Sequence, residues 1–407
     1  MANSSALQRN GKPQTKGAHI VHLSTYPADD PRLFQKACRA EIASGYQVTQ
    51  IVCHDRDEIV DGVEIIAVPK PKGRFSSMAA LPWKMFRKAI GRRGDIYIIQ
   101  HPDLIPTGIL LKLFCKKVIY EPRERFPDKI PTMRWIPAKM RPLARAAFAG
   151  FEQMTSALWN HIIVTDRYTA QAFSGRPVSI VPNFPLLNPV ERIEKRVGKR
   201  VLLYVGGITD ERGLAVMLKI AELLEGCNVE LQLMGPCPYP GDEARIHATP
   251  NVTYYGNKSL SEVYRRMATA DLGLLLLQPV PAYTYAGENT LKLFEYMWAS
   301  LPIVSSNFPN LNRIISSAQC GICIDPTNAV EAAKSILDLL DLPEVCKAMG
   351  ANGHRAVSEA YNWPAAWEVL RQVYVNVLSG SRASVPAPPF WDGTPINPLS
   401  NRNGTAA

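Results

Sequence analysis

The stretch Gly287–Ser305 most constrains what this chain can fold into, because a polar loop, a helix and a buried strand follow one another there. Apolar residues recur at helical spacing after Asn289 and Thr290, which are predicted to cap the helix. Pro302 ends the helical pattern, and the apolar residues after it predict a short strand. Helices that alternate with buried strands are typical of an α/β protein with a parallel sheet.

The first turn of this helix is a candidate anion site, since a helix N-terminus offers free N–H groups and the positive end of its dipole. Lys292 lies in that turn, where a bound diphosphate would compensate its charge. Glu295 follows on the same face, and its carboxylate could accept hydrogen bonds from two adjacent sugar hydroxyls. The alternative is an ordinary ion pair between Lys292 and Glu295 on the surface of the helix.

The segment KLFEYMWASLPIV, which contains both residues, resembles the donor-site signature of glycosyltransferase family 4. The resemblance implies that Glu295 holds the ribose of a nucleotide sugar. The family carries another glutamate at the position of Gly287, and the nearest carboxylate in this chain is Glu288. The donor-binding residues implied in this stretch are therefore Glu288, Asn289, Thr290 and Glu295.

A second candidate donor segment is the glycine-containing loop after the predicted strand at residues 201–205. Gly206 and Gly207 would allow the backbone to approach a phosphate closely, and Arg212 could neutralise it. A glycine pair is also common in ordinary strand-to-helix turns. The loop resembles the corresponding family 4 motif, which implies that Gly206, Gly207 and Gly213 bind the donor and that Arg212 binds its diphosphate.

In the first half of the chain, polar residues follow predicted strands at three places. These acceptor-side candidates are Asp30, Arg32, His101, Asp103, Arg123 and Glu124. Strand ends are where open α/β sheets bind ligands, although the same residues could simply cap helices. The segments around them resemble the acceptor-side motifs of family 4, with Arg123 where that family carries a histidine.

The length of 407 residues exceeds one typical core, so two domains are expected. Residues 1–200 contain 32 Lys or Arg against 17 Asp or Glu, whereas residues 201–407 contain 14 against 19. This asymmetry predicts an anionic partner for the first domain, such as membrane lipid, a lipid-linked phosphate or nucleic acid. The basic and apolar segment Met133–Arg145 is the candidate contact with an anionic membrane, and no RNA-reading or recognition-helix pattern favours nucleic acid.

Location and metal use follow from what the sequence lacks. No apolar run approaches the roughly 18 residues of a membrane span, and Met1–Gly17 has no signal-peptide core. We therefore expect a cytoplasmic protein, held peripherally at the inner face of the cytoplasmic membrane. Among eight scattered cysteines, Cys320 and Cys323 form a close pair without the second pair that a zinc site needs. Neither a metal nor a cofactor is expected.

These assignments predict an α/β protein of GT-B architecture, with two Rossmann-like doubly wound domains facing an interdomain cleft. The predicted divisions are a disordered tail at 1–17, an acceptor-binding domain at 18–184, a linker at 185–199, a nucleotide-sugar-binding domain at 200–359, a helix at 360–378 that returns to the first domain, and a disordered tail at 379–407.

The resemblance implies a glycosyltransferase that moves a sugar from a UDP- or GDP-linked donor to a saccharide acceptor, with retention of anomeric configuration. It further implies a lipid-linked acceptor in exopolysaccharide, capsule or lipopolysaccharide biosynthesis. Catalysis would need no metal, because Arg212 and Lys292 would stabilise the departing diphosphate. The alternatives are a sugar-nucleotide epimerase of the same architecture and a non-catalytic protein that binds anionic surfaces. The epimerase would need histidines beside the donor, whereas His247 and His354 lie away from the motif.

Overall fold

The computed structural model describes residues 17–71, 73, 80–133, 135–188, 198–281, 283–388 and 391. They form two compact units. The first contains residues up to 164 together with 169–181 and 367–386, and the second contains residues 165–168, 182–366 and the chain from 387. Most of the tail predicted at 1–17 and residues 189–197 of the predicted linker lie outside the described residues.

The first unit is built on a sheet of eight strands in the order β3-β4-β2-β1-β5-β6-β7-β8. Neighbouring strands pair in parallel, except that β3 pairs antiparallel with β4. The strands are β1 His19–Ser24, β2 Gln47–Cys53, β3 Glu58–Val60, β4 Val63–Val68, β5 Ile96–Ile99, β6 Val118–Tyr120, β7 His161–Val164 and β8 Val178–Ile180.

Helices connect these strands, and the first of them is irregular. A π-helical segment at Pro31–Cys38 runs directly into the α-helix Arg39–Ala43, which we label α1. The remaining α-helices that begin in this unit are α2 Leu81–Ile90, α3 Ile105–Leu113 and α4 Arg141–Ser156, and α5 Arg167–Gln171 has its first two residues in the second unit. Strands β5, β6 and β7 are buried along their whole length, which explains their continuous apolar sequences.

The second unit contains a parallel sheet of six strands in the order β11-β10-β9-β12-β13-β14. These strands are β9 Arg200–Val205, β10 Val229–Met234, β11 Val252–Tyr254, β12 Leu272–Leu275, β13 Ile303–Ser306 and β14 Gly321–Ile324. The helices are α6 Leu214–Leu223, α7 Pro240–Ala248, α8 Leu260–Thr269, α9 Leu291–Trp298, α10 Pro309–Ala318, α11 Ala329–Leu340, α12 Pro343–Glu359 and α13 Trp363–Leu378. The helix and strand predicted within Gly287–Ser305 are thus present as α9 and β13.

Each sheet reverses its direction of winding at one point. In the second unit the chain moves outward from β9 through β10 to β11, and then starts again on the other side of β9 at β12. In the first unit the same reversal separates β1 from β5. Open α/β sheets bind ligands outside the carboxyl ends of their strands at such a reversal, so these two places position the candidate sites.

The end of the chain differs from its prediction. The disordered tail predicted at 379–407 is wrong for residues 381–388, where Val178 N–H donates to Ser384 Oγ and Val385 N–H donates to Ser179 Oγ. Trp391 is fully buried, and its indole N–H donates to the carbonyl of Ala360. The Pro-rich composition of this segment therefore accompanies an irregular backbone that is bonded to β8 at these two points. Residues 389, 390 and 392–407 lie outside the described part of the chain.

Candidate active site

The loop after β9 packs closely against the ends of the neighbouring strands β10 and β12. Gly206 and Gly213 have φ angles of 150° and 94°, a region that glycine enters without steric cost. A Cβ atom on Gly213 would lie 2.2 Å from the carbonyl oxygen of Leu276, at the end of β12. A Cβ atom on Gly235 would lie 2.0 Å from the carbonyl oxygen of Gly206. These glycines therefore close the loop tightly at the point where the sheet reverses.

Arg212 is held over this loop by two tyrosines. Its Nε donates to the hydroxyl of Tyr283 at 3.0 Å, and its guanidinium lies 3.4 Å from the position of a Cβ on Gly207. Tyr204 donates its own hydroxyl to the carbonyl of Gly207 at 2.7 Å. Burial opposes the charge of Arg212, but the hydroxyls of Tyr283 and Tyr204 raise its pKa above the usual value. The structure thus places a permanent cation beside the glycine pair.

The start of α9 carries backbone donors that its own side chains do not cap. Thr290 occupies the capping position without a side-chain hydrogen bond to the helix, and Asn289 Oδ1 accepts from the N–H of Gly287 instead. The prediction that these two residues cap the helix is therefore wrong. Asn289 serves the preceding turn, and the N–H groups of Leu291 and Leu293 donate to the carbonyls of Asn289 and Thr290, so the N-terminus of α9 has no side-chain cap.

Lys292 and Glu295 contact each other, as the alternative interpretation of the sequence predicts. Lys292 Nζ lies 2.5 Å from Glu295 Oε2, and the carboxylate is 5% exposed. The pair does not exclude a role in binding, because Lys292 also lines a cavity of about 270 Å³. Gly206, Gly207 and Gly235 form another wall of this cavity.

The same cavity contains two polar residues that the sequence analysis did not select. Asn257 and Lys258 follow β11 and line the cavity beside Gly235. The rule that selected other sets, polar residues directly after a strand, would also have found this pair. With Arg212 and Lys292, Lys258 adds a third cation near the glycine loop, and the arrangement is suited to an anionic ligand with several charges.

Glu288 faces arginines. Its side chain is 1% exposed, and its carboxylate pairs with Arg313 and lies 3.4 Å from Arg167 Nε. Gly287, where family 4 carries a glutamate, has no room for one, since a Cβ there would lie 2.7 Å from Cβ of Asn310. The nearby Tyr285 stacks on Tyr168 with ring centroids 4.3 Å apart. Glu288 is thus paired with arginines of α10 and α5.

At the reversal in the first unit, the predicted acceptor-side residues mostly pair with one another. Asp30 accepts from the N–H of Leu33 at 2.8 Å and lies 2.8 Å from Arg123 Nη1. His101 Nδ1 accepts from the N–H of Asp103 at 3.3 Å, so this histidine caps a short helical turn. The helix-capping alternative therefore describes what Asp30 and His101 do in this structure.

Arg32 and Glu124 have different surroundings. Arg32 is buried, and its guanidinium binds Glu121 Oε1 at 2.8–2.9 Å and the carbonyl of Val181 at 2.9 Å. Burial would raise the pKa of Glu121, but the charges of Arg32 and Arg123 hold it below its usual value. Glu124 lies at the surface and pairs with Lys129. Glu121, which follows the same strand as Arg123 and Glu124, is therefore the carboxylate that organises the buried arginine.

A further polar group lies deep in the first unit. His22 Nε2 is 2.9–3.0 Å from both carboxylate oxygens of Glu41, and the hydroxyl of Tyr374 donates to Glu41 at 2.7 Å. Cys38 completes a set whose side-chain atoms lie within 4.8 Å of one another and could in principle hold a cation. Burial raises the pKa of the Cys38 thiol well above its usual value, so the thiol is protonated at neutral pH in the structure as it stands.

The pair Cys320 and Cys323 is similarly inert. Burial raises the pKa of Cys320 to about 12 and that of Cys323 to about 11. Both thiols are therefore protonated at neutral pH, as expected of small apolar residues in a packed strand.

Comparison with known proteins agrees with this geometry. Residues 190–356 match the family model described as glycosyl transferases group 1. Over 331 residues, 76% of each chain, the protein is 24% identical to MMP alpha-(1->4)-mannosyltransferase of Mycolicibacterium hassiacum. It is 26% identical over 183 residues to alpha-D-kanosaminyltransferase of Streptomyces kanamyceticus, covering 44% of this chain and 46% of that protein.

Solved structures show the same fold. Sucrose-phosphate synthase from Thermosynechococcus elongatus superposes with a TM-score of 0.68 at 16% identity, covering 89% of this chain and all of that one. WaaG, a glycosyltransferase involved in lipopolysaccharide biosynthesis, gives a TM-score of 0.65 at 16% identity, covering 87% of this chain and 99% of its own. Anabaena HepE, solved in complex with UDP-glucose, gives 0.64 at 13% identity, covering 89% and 99%.

Two parallel-sheet units of this kind define a protein of the GT-B class, and the predicted fold class is confirmed in this respect. Residues 190–356 are similar to the glycosyl transferases of group 1, and 76% of the chain aligns with a mannosyltransferase.

Proposed function

We propose that this protein transfers a sugar from a UDP- or GDP-linked donor, bound by the second unit, to a saccharide acceptor, with retention of anomeric configuration. The observation that carries the proposal is the convergence of the glycine loop, Arg212, Lys292 and the start of α9 at the reversal of the second sheet. Free backbone donors and two cations are what a nucleoside diphosphate needs from its binding site.

The diphosphate is the leaving group in such a transfer, and charge accumulates on it as the bond to the sugar breaks. Arg212 and Lys292 supply positive charge at that position, and the first turn of α9 adds its dipole. On diphosphate binding, Lys292 exchanges part of its contact with Glu295 for a phosphate oxygen. Glu295 then has carboxylate oxygens free to accept hydrogen bonds from the two ribose hydroxyls. No divalent ion is required in this scheme, since protein cations perform its electrostatic task.

The donor-side test is nucleoside diphosphate release from a panel of UDP- and GDP-linked sugars, with Arg212→Ala and Lys292→Ala as variants. Each variant should lower turnover by about 10²–10³-fold, the usual loss when one charge-stabilising group is removed. Activity should persist in the presence of a chelator. Loss of activity with the chelator and recovery with magnesium would contradict the metal-free scheme. If both variants turned over as fast as the unaltered protein, Arg212 and Lys292 would have no role in catalysis.

We infer that the acceptor is lipid-linked, in exopolysaccharide, capsule or lipopolysaccharide biosynthesis, and that the enzyme works peripherally at the inner face of the cytoplasmic membrane. None of the helices in the described part of the chain is long and apolar enough to span a membrane. Within the predicted contact segment, Arg141 donates to the carbonyls of Ile136 and Pro131, and Arg145 pairs with Asp128. Arg134 lies outside the described residues.

Helix α2 offers a better-suited contact. Its basic face consists of Lys84, Arg87 and Lys88, which line one cavity of about 280 Å³ and make no ion pair with any described residue. Trp83 is 52% exposed on the same helix. An aromatic residue beside unpaired cations is typical of protein surfaces that adsorb to anionic lipid headgroups.

The two alternatives predict other features. An epimerase would place a histidine near the donor, whereas His247 lies near Glu243 on α7 and His354 stacks on Trp298, away from the cavity of the glycine loop. A non-catalytic protein would bind anionic vesicles without turning over a nucleotide sugar. The release assay therefore separates all three functions.

A further inference from the structure

A cavity of about 450 Å³ opens in the first unit, at the carboxyl ends of three adjacent strands. Thr25 follows β1, His54 follows β2, and Lys70 lies just beyond β4, and all three line the cavity. Its size falls within the range of small-molecule sites, and it lies at the carboxyl ends of parallel strands, to one side of the reversal between β1 and β5. It differs from the neighbouring group of Asp30, His101 and Arg123, whose side chains already have partners, since Asp30 pairs with Arg123 and His101 with Asp103.

Two of the charged side chains that line this cavity have no partner among the described residues. Within the described part of the chain, the side chains of Asp29 and Lys70 make no hydrogen bond or ion pair, although both line the cavity. Glu58 is already satisfied, since it accepts from His54 at 3.0 Å and from Arg56 at 3.1 Å. One carboxylate and one ammonium group thus face the cavity without partners, and their formal charges cancel.

The rest of the wall is apolar. Phe34, Val60 and Ile65 contribute carbon surface, with Pro27 and Ala28 from the loop that carries Asp29. A pyranose ring matches such a wall, because one face of the ring presents C–H groups and its rim presents vicinal hydroxyls. A carboxylate can accept from two neighbouring hydroxyls, while an ammonium group and the hydroxyl of Thr25 can donate to their oxygens.

We propose that this cavity binds a neutral pyranose unit of the acceptor, with Asp29 and Lys70 as the residues that bind its hydroxyls. This inference rests on the proposed function, because it names the acceptor-binding site of that transferase. Within the loop predicted to face the acceptor, it assigns the contact to Asp29 and not to Asp30, which pairs with Arg123. An anionic sugar is disfavoured, because the carboxylate of Asp29 would repel it.

Saturation-transfer NMR on the full-length protein tests the proposal. The probes are the methyl glycosides of glucose, galactose, mannose, rhamnose, N-acetylglucosamine and glucuronic acid. At least one neutral glycoside should bind the unaltered protein. Asp29→Asn and Lys70→Met should each weaken that binding by about tenfold, because each removes a charge-assisted hydrogen bond. The matched controls are Asp55→Asn and Lys347→Met, exposed residues outside the cavity, and these should bind normally.

Three results would overturn the proposal: no binding of any neutral glycoside, binding of the glucuronide alone, or equal binding by the two cavity variants and their controls. Titration of UDP and GDP into the same samples keeps this failure distinct from failure of the proposed function. Nucleotide binding without glycoside binding removes only the cavity assignment. Absence of both removes the transferase proposal itself.

Discussion

At the scale of single residues, Glu295 shows how two interpretations of a sequence can both describe the molecule. Its pairing with Lys292 is the ordinary contact expected on a helix, yet both residues lie at a cavity next to the glycine loop. The position of the carboxylate could be predicted from the motif. Its partner in the ligand-free protein could not, because a local pair and a ligand contact use the same residues at the same spacing.

Glu295→Gln should weaken binding of UDP or GDP by about 1–2 kcal/mol, since an amide accepts weaker hydrogen bonds from ribose than a carboxylate does. Isothermal titration calorimetry measures this change. The matched control is Glu222→Gln, which breaks the same type of pair with Lys219 on α6 and should leave nucleotide affinity unchanged. Equal affinity of Glu295→Gln and the unaltered protein would contradict the ribose assignment.

His161 predicts how stability depends on pH. It is fully buried on β7 with Nε2 bonded to Ser179 Oγ at 2.9 Å, and burial lowers its pKa from 6.5 to about 4. The unfolded chain therefore binds a proton between about pH 6.5 and pH 4 that the folded chain does not. Stability should fall across that window as the pH falls, by up to about 3 kcal/mol from this residue.

Urea unfolding of the unaltered protein and of His161→Gln, measured at pH 7.5 and pH 5, tests this dependence. The variant is less stable at both values but should lose less stability on acidification. His247→Gln removes an exposed histidine and should keep the full acid dependence. An unchanged pH dependence in His161→Gln would show that His161 is not buried in its neutral form.

At the scale of elements, the turn from β9 to α6 depends on close backbone approach. A Cβ on Gly235 would meet the carbonyl oxygen of Gly206 at 2.0 Å, and Gly235 has a φ of 133°. Gly235→Ala should therefore destabilise the protein by at least about 3 kcal/mol and displace the glycine loop. Gly226→Ala is the control, with a φ of 83° but open space around it, and should cost only about 1 kcal/mol.

Thermal unfolding and nucleotide titration of both variants separate these effects. If Gly235→Ala and Gly226→Ala destabilised the protein equally, the loss of stability would come from the backbone conformation alone and not from the contact with Gly206. Normal nucleotide binding by Gly235→Ala would show that the loop tolerates displacement and does not form the donor site.

The elements themselves were largely predictable. Apolar runs such as β5 and β12 must be strands of covered parallel sheets, and Gly or Pro marks their ends. The π-helical segment at Pro31–Cys38 was not predictable, because helical periodicity does not distinguish the wider turn. Long-range pairing was equally hidden: Arg32 meets Glu121, a residue 89 positions away, and no local pattern indicates that partner.

At the scale of the whole molecule, the excess of basic residues in the first half was visible in the sequence. Which of those residues are unpaired, and so able to bind an anionic surface, was not. Arg141 and Arg145 are occupied locally, whereas the basic face of α2 is not paired within the described residues. Each Lys or Arg near an anionic surface adds about 1 kcal/mol, and the effect decays over about 8–10 Å at physiological salt. In the proposed function, three such cations beside Trp83 would together contribute about 3 kcal/mol to adsorption.

The full-length protein should sediment with phosphatidylglycerol-containing vesicles at low salt and dissociate at about 0.5 M salt, where screening shortens the range. Reversal of Lys84, Arg87 and Lys88 to glutamate should abolish this binding and leave nucleotide binding intact. The matched control reverses three exposed cations of the second unit, Lys334, Lys347 and Arg355. Equal binding to neutral vesicles, or binding that does not depend on salt, would show that the basic face of α2 is an ordinary solvated surface and does not bind anionic lipid.

The position of α13 has a consequence for the order in which the protein folds during translation. Residues 367–386 belong to the first unit, where Tyr374 donates to Glu41 and packs edge-on against Tyr46. A ribosome releases the first 181 residues long before Tyr374 is made, at roughly 5–20 residues per second. During that interval the buried carboxylate of Glu41 lacks one of its donors and Tyr46 lacks part of its packing. The half of the protein that is translated first is therefore among the last to be finished.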